Sequence, residues 1–109
     1  MNFTSQRLEP NKIVVQLEGL LNRWSVPKVR RGILSLARQE QVEVMEMDLS
    51  RLSKLDTAGI ALMVEVLRTL AGKGGKLRLT GLNENAVKMI RLSRLDSAFD
   101  VEHSTSGGS

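Results

Sequence analysis

The chain has no cysteine and no tyrosine, and only one histidine, one tryptophan and two phenylalanines in 109 residues. Each shortage excludes a class of chemistry. Without cysteine there is no disulfide framework and no thiolate metal site. The lone histidine, His103, stands in a Ser/Gly-rich tail, so no Ser-His pair and no histidine-based metal site is available. Phe3, Trp24 and Phe99 are too few for a base-stacking platform, and no nucleic-acid partner is expected. Glu43, Glu46 and Asp48 alternate along one segment without a histidine or nucleophile beside them. Neither catalysis nor a cofactor is therefore expected. Gly72-Lys73-Gly74-Gly75-Lys76 lacks the spacing and the Lys-Ser/Thr pair of a phosphate loop, and it follows a helix where such a loop precedes one. No apolar run is long enough to span a bilayer, and no basic segment with an apolar stretch behind it opens the chain. The expectation is a cytoplasmic protein with no direct membrane insertion.

What remains is an ordinary globular composition, 41% apolar and 26% charged, in a length that suits one domain. The net charge of +4 is spread over Lys28, Arg30, Arg31 and Arg38 in one segment and Arg78, Lys88, Arg91 and Arg94 in others. Such a spread reads as a solvated face. It marks an acidic protein or a membrane surface no more strongly than a nucleic acid.

Periodicity predicts a strand over Lys12 to Gly19, with Ile13, Val15 and Leu17 on one face, paired through Glu9-Pro10-Asn11 with an earlier strand from Phe3 to Leu8. Ser25 suits a helix N-cap and Pro27 a first turn. The helix running to about Gln39 places Val26, Val29, Ile33, Leu36 and Ala37 on one face, with Gly32 an internal cost of about 1 kcal/mol relative to alanine. A strand over Val42 to Leu49 follows; its Val44-Glu46-Asp48 face is more polar than a central parallel strand requires. After a short polar loop comes a strongly apolar helix, about Thr57 to Ala71. Ile60, Met63, Val64, Leu67, Leu70 and Ala71 form its expected core face, and Ala58, Ala61, Leu62 and Val66 flank it or lie outside. Gly72 ends that helix, Lys76 to Thr80 reads as a strand, and Asn83 caps a helix over Glu84 to Leu92. Ala98 to Val101 reads as a last short strand, and residues 102–109 as a disordered tail. The order implies an α/β domain over residues 1–101: a mixed sheet with an N-terminal antiparallel hairpin, then parallel strands joined by crossover helices.

Asp56 and Thr57 are the residues with the clearest chemistry. Asp56 is placed to cap the helix by accepting the amides of Ala58 and Gly59, and Asp-Thr before an apolar helix is a common cap. Thr57 also puts a hydroxyl at a helix N-terminus, where a phosphate is tolerated. Ala58 and Gly59 are small enough to admit a kinase or a partner's backbone, and Ala61, Leu62 and Val66 leave apolar surface suited to a protein contact or a homodimer. Trp24, in the loop before the first helix, reads equally as an interface anchor or as a ring folded under its own loop.

The run Leu55-Asp56-Thr57-Ala58-Gly59 resembles the signature of the STAS domain family, which includes the anti-sigma factor antagonists. Gly74-Gly75-Lys76-Leu77-Arg78-Leu79-Thr80-Gly81-Leu82 is similar to the family's strand after the switch helix, and Ile90 to Phe99 resembles its closing helix and turn. The resemblance covers about Phe3 to Val101. It implies a STAS fold and a phosphorylatable hydroxyl at Thr57, preceded by the acid Asp56. It also implies a partner surface of Asp56, Thr57, Ala58, Gly59, Ala61 and Leu62 with Asn22 and Trp24. The implied partner is an anti-sigma factor of the serine-kinase type. Two features depart from the family: Gly19-Leu20-Leu21-Asn22 carries Asn where members usually have Asp, and the charge balance is basic. Asp56 to Met63 also looks like the small STAS subunits that bind the ATPase of a bacterial phospholipid-trafficking ABC transporter, where the threonine need not be phosphorylated.

Overall fold

Alternation in the strands decides which face of the sheet is covered. In the computed structural model, which describes residues 2–92 and 100–103, Ile13, Val15 and Leu17 are buried, as are Met45, Met47 and Leu49 and, further on, Leu77 and Leu79. Between them Val14, Gln16, Val44, Glu46, Asp48, Arg78 and Thr80 are only half-buried. The elements are β1 (Asn2–Glu9), β2 (Lys12–Leu21), α1 (Val26–Arg38), β3 (Val44–Leu55), α2 (Thr57–Ala71), β4 (Lys76–Leu82), α3 (Glu84–Leu92) and β5 (Asp100–His103). They build one five-stranded sheet in the order β1-β2-β3-β4-β5, with β1 antiparallel to β2 and the remaining pairs parallel. Each crossover from β2 onward steps to the next strand in the same direction. Right-handed crossovers taken that way stack all three helices on one face.

The polar face of β3 is thereby explained. That strand is central, but only one of its faces lies under helices. On the open face Lys12 pairs with Glu46 at 3.5 Å, and Gln16 Nε2 donates to Asp48 Oδ2 at 3.2 Å. Partial burial pushes the Asp48 carboxyl up, but hydrogen bonds from the Ser50 amide and hydroxyl and from Gln16, with the charge of Arg51, hold it below its ordinary value.

Several expectations are corrected. The polar loop expected after Leu49 is strand: Arg51, Leu52, Lys54 and Leu55 pair with Glu18, Gly19, Leu20 and Leu21 of β2. Burial of Leu52 and Leu55 draws this stretch onto the sheet, and one extra residue of β3 at each of two places, between Asp48 and Arg51 and between Leu52 and Lys54, accommodates it. In α1 the buried set is Val29, Ile33, Leu34 and Ala37, with Leu36 only partly covered. Gly32 has a packing reason, because a Cβ there would lie 2.7 Å from the Phe3 ring of β1. Ser25 precedes α1 but makes no side-chain cap, whereas Asn83 does cap α3 by accepting the Ala86 amide at 2.8 Å. Glu102 and His103, assigned to the tail, belong to β5, where His103 pairs with Leu82. The expected closing turn before β5, Ala98 and Phe99, and the tail from 104 onward lie outside the described residues.

The largest correction concerns α2. Its buried residues are Gly59, Ile60, Leu62, Met63, Val66 and Leu70. Val64 and Leu67 are half-buried and Ala71 is exposed. Leu62 and Val66, expected to leave free apolar surface, are 2% and 0% exposed. The helix packs on the sheet and against α1 at once, which widens its buried arc and turns it toward α1.

Candidate functional site

β2 and β3 run side by side and end together at the Leu21–Leu55 pair, where the Asp56 amide donates to the Leu21 carbonyl at 3.2 Å. Each strand then leads into a helix. The starts of α1 and α2 therefore meet at the carboxyl ends of two parallel strands.

At the start of α2, Asp56 lies in extended backbone and its Oδ1 accepts the amides of Ala58 at 2.9 Å and Gly59 at 3.2 Å. The expected cap is present. Thr57 is exposed, and its hydroxyl makes no hydrogen bond among the described residues. Gly59 does not face a partner. It is buried, and a Cβ there would stand 2.5 Å from Leu55 Cδ1 and 3.0 Å from Leu21 Cγ. The small residue lets α2 sit down on the strand ends and hold Thr57 outward.

The loop into α1 is organised by Asn22. Its Oδ1 accepts the amides of Trp24 at 2.9 Å and Ser25 at 3.1 Å, a turn that an aspartate would form equally well. Ser25 Oγ accepts the Asn22 amide at 2.9 Å and donates to the Leu20 carbonyl at 2.6 Å. That inward commitment explains why it does not cap α1. Trp24 is pushed outward to 72% exposure, with the Arg23 guanidinium 4.9 Å from its ring centroid. The ring is not folded under its loop.

Between the two helix starts runs a groove of about 320 Å³, lined by Arg23, Val26, Pro27 and Arg30 on one side and Ala58, Ala61, Leu62 and Glu65 on the other. Leu62 forms its buried floor and Ala61 an exposed wall. Arg30 closes it by donating from Nε to Glu65 Oε1 at 2.8 Å and from Nη2 to Oε2. The hydrogen bonds and charge of Glu65 raise the Arg30 guanidinium further. In return Arg30, helped by the charge of Arg38, holds Glu65 below the usual carboxylate range despite its partial burial. A second cavity of about 210 Å³ lies between the end of β3 and α3, with Leu49, Leu52, Leu55, Asn83 and Met89 in its lining.

Of the residues expected at the site, the structure brings together Asp56, Thr57, Ala58 and Ala61 with the loop of Asn22 and Trp24, and it buries Gly59 and Leu62. Arg23, Pro27, Arg30 and Glu65 were not anticipated. Arg30 and Glu65 are 35 positions apart, and only the packing of α1 on α2 makes them neighbours.

The exposed Thr57 directly precedes Ala58 of one groove wall, and the exposed Trp24 directly follows Arg23 of the other. The family model described as "Mlab, STAS domain" matches residues 4–101, and the chain belongs to the STAS domain family. It is 26% identical over 98 residues to the anti-sigma-B factor antagonist of Bacillus subtilis (strain 168), spanning 90% of this chain and 88% of that protein. Among solved structures, the phosphorylated form of the Bacillus cell fate determinant SpoIIAA superposes with a TM-score of 0.76 at 22% identity, covering 98% of this chain and 95% of that one. An anti-sigma factor antagonist from Mycobacterium paratuberculosis gives a TM-score of 0.79 at 18% identity, covering 98% and 90%. The chain is thus a STAS domain, similar in sequence and fold to anti-sigma factor antagonists.

Proposed function

We propose that this domain is an anti-sigma factor antagonist that sequesters an anti-sigma factor of the serine-kinase type and releases it when Thr57 is phosphorylated. The observation that carries the reading is the state of Thr57: exposed, without a hydrogen bond among the described residues, on a helix start whose first free amides are already taken by Asp56. A kinase can reach that hydroxyl without unfolding the helix. Phosphorylation adds about −1.5 to −2 charges. They would arrive beside the Asp56 carboxylate, which holds the nearest amides, so the new charge faces outward toward whatever is docked. A partner seated over Ala58, Ala61 and Trp24 meets a desolvated anion and leaves, while the core beneath is undisturbed. Among the described residues no helix is long and apolar enough to cross a membrane, and a cytoplasmic setting suits the reading.

The test is affinity capture from native extract with wild-type, Thr57→Ala and Thr57→Glu baits, partners being identified by mass spectrometry. Wild type and Thr57→Ala are expected to hold a kinase-like protein that Thr57→Glu loses by at least about tenfold, a difference of ~1.4 kcal/mol. Capture indifferent to residue 57 would return Asp56-Thr57 to a plain helix cap. A homodimer formed through the same face would compete with the partner, and sedimentation of the purified chain distinguishes the two.

A second reading is an accessory subunit that binds the ATPase of a phospholipid-transport ABC system through the same helix end. It is supported by the stretch Asp56 to Met63 and by the family description Mlab, which differs from the antagonist names of the relatives. Capture of a transporter ATPase by wild type and Thr57→Ala alike would favour it, as would permease and ATPase genes beside the coding sequence.

A further inference from the structure

From Gly19 to Gln39 the sequence contains no acidic residue, yet it holds Arg23, Lys28, Arg30, Arg31 and Arg38. Arg30 is engaged by Glu65. Lys28, Arg31 and Arg38, with Ser35 between them, are all exposed. At ~100° per residue they fall within about 80° of the helix circumference, a ridge pointing away from the sheet. One of them, Lys28, sits in the first turn of α1, which contains no acid. A helix N-terminus is the positive end of the backbone dipole, so a cation there works against the helix. The fold does not explain its position.

Five residues before Lys28, in the loop that leads into α1, is Arg23, stacked on the exposed Trp24. Arg23 is also, with Arg30, one of the two cations lining the groove between α1 and α2. Glu65 is the one acid of that groove and is already paired. We propose that the outer ridge of α1, with Trp24 in the loop at its start, is a docking strip for an acidic amphipathic segment of a partner protein. The segment's apolar side seats on Trp24 and along the groove, and its carboxylates lie along Lys28, Arg31 and Arg38. A bare polyanion would leave the aromatic and the groove unused, whereas an amphipathic acidic segment uses both. The strip steers the encounter and the α2 end decides retention, because rim charges act mainly on association. That the strip and Thr57 serve the same partner rests on the switch reading above.

Trp24 reports on the strip, since it is the only tryptophan in a chain without tyrosine. Its emission is to be followed on titration with three probes: a synthetic amphipathic helical peptide of leucine and glutamate, its twin with lysine for glutamate, and phosphatidylglycerol vesicles. The acidic peptide is expected to shift the emission to shorter wavelength and to bind at least about tenfold more tightly than the lysine twin, weakening with salt. The double variant Lys28→Glu/Arg31→Glu should lose that binding while its thermal midpoint stays equal or rises, so misfolding cannot account for the loss. Equal binding of the two peptides, or an unaffected double variant, overturns the proposal. A response to vesicles without one to the acidic peptide overturns it in favour of a membrane surface. Against the captured anti-sigma factor, loss in Thr57→Glu alone keeps the switch and removes the strip from it. Loss in the double variant alone keeps the strip and removes the switch.

Discussion

The helices α1 and α2 begin at the ends of adjacent parallel strands and are built in opposite ways. α2 starts from an aspartate whose carboxylate holds two amides, has a glycine pressed onto Leu55 and Leu21, and presents the exposed Thr57 in its first turn. α1 starts from a serine whose hydroxyl is turned back to Leu20, with no side-chain cap and with Lys28 where the dipole disfavours a cation. One start is locked so that a single hydroxyl is held still. The other gives up local stability and presents charge and an aromatic ring. Rigidity and reach are divided between two neighbouring helix ends, joined by the Arg30–Glu65 pair.

The division can be broken in order of decreasing force. The lock depends most on Leu62, which belongs to the core and not to the free surface. Leu62→Ala should cost about 2–5 kcal/mol, read as a drop in denaturant midpoint, whereas a surface leucine would cost almost nothing. Next come the two helix starts themselves. Asp56→Ala should destabilise by about 1 kcal/mol through loss of the cap and leave the emission of Trp24 unchanged. Ser25→Ala should cost a similar ~1 kcal/mol, but by freeing the loop it should shift that emission. If both variants moved the fluorescence alike, the two starts would be one cooperative unit and the contrast between them would fail.

The smallest effect is a pH dependence. Glu65 has a folded-state pKa below its unfolded value, so its contribution to stability is fully present above the unfolded carboxylate range. It is lost as pH falls through the lowered folded value. Glu65→Gln should therefore leave a shallower fall in stability below about pH 4 and no change in slope above pH ~6. Acid titration of the denaturant midpoint in both proteins measures it.

Local chemistry was legible in the chain and shared surfaces were not. Asp56 as a cap, Asn83 as a cap and the alternation of Ile13, Val15 and Leu17 need only near neighbours in sequence, and each stands as expected. Leu62 and Val66 were misplaced because a helical wheel treats α2 as touching one neighbour, while the folded helix touches the sheet and α1. Ser50 to Leu55 looked like a loop because its partners, Glu18 to Leu21, lie more than thirty positions earlier. The polar side of β3 looked like a fault until the sheet was seen to be covered on one face only. The groove needed both helices in place before Arg23 and Arg30 could be recognised as part of it.

β2 and β3 carry the candidate site to one pole of the sheet and leave the other to turns. There the chain turns at Pro10-Asn11 into β2, and through Lys73, Gly74 and Gly75 into β4. Gly74 has open space around it, but its φ of +79° is one that glycine alone takes without strain, so it is best kept. For an engineer the exposed Lys73 beside it is the handle: a tether or a dye there stands a full strand length from Thr57 and Trp24, on an exposed turn of the kind that accepts change. The domain can be held by that end and its grip on a partner measured at the other.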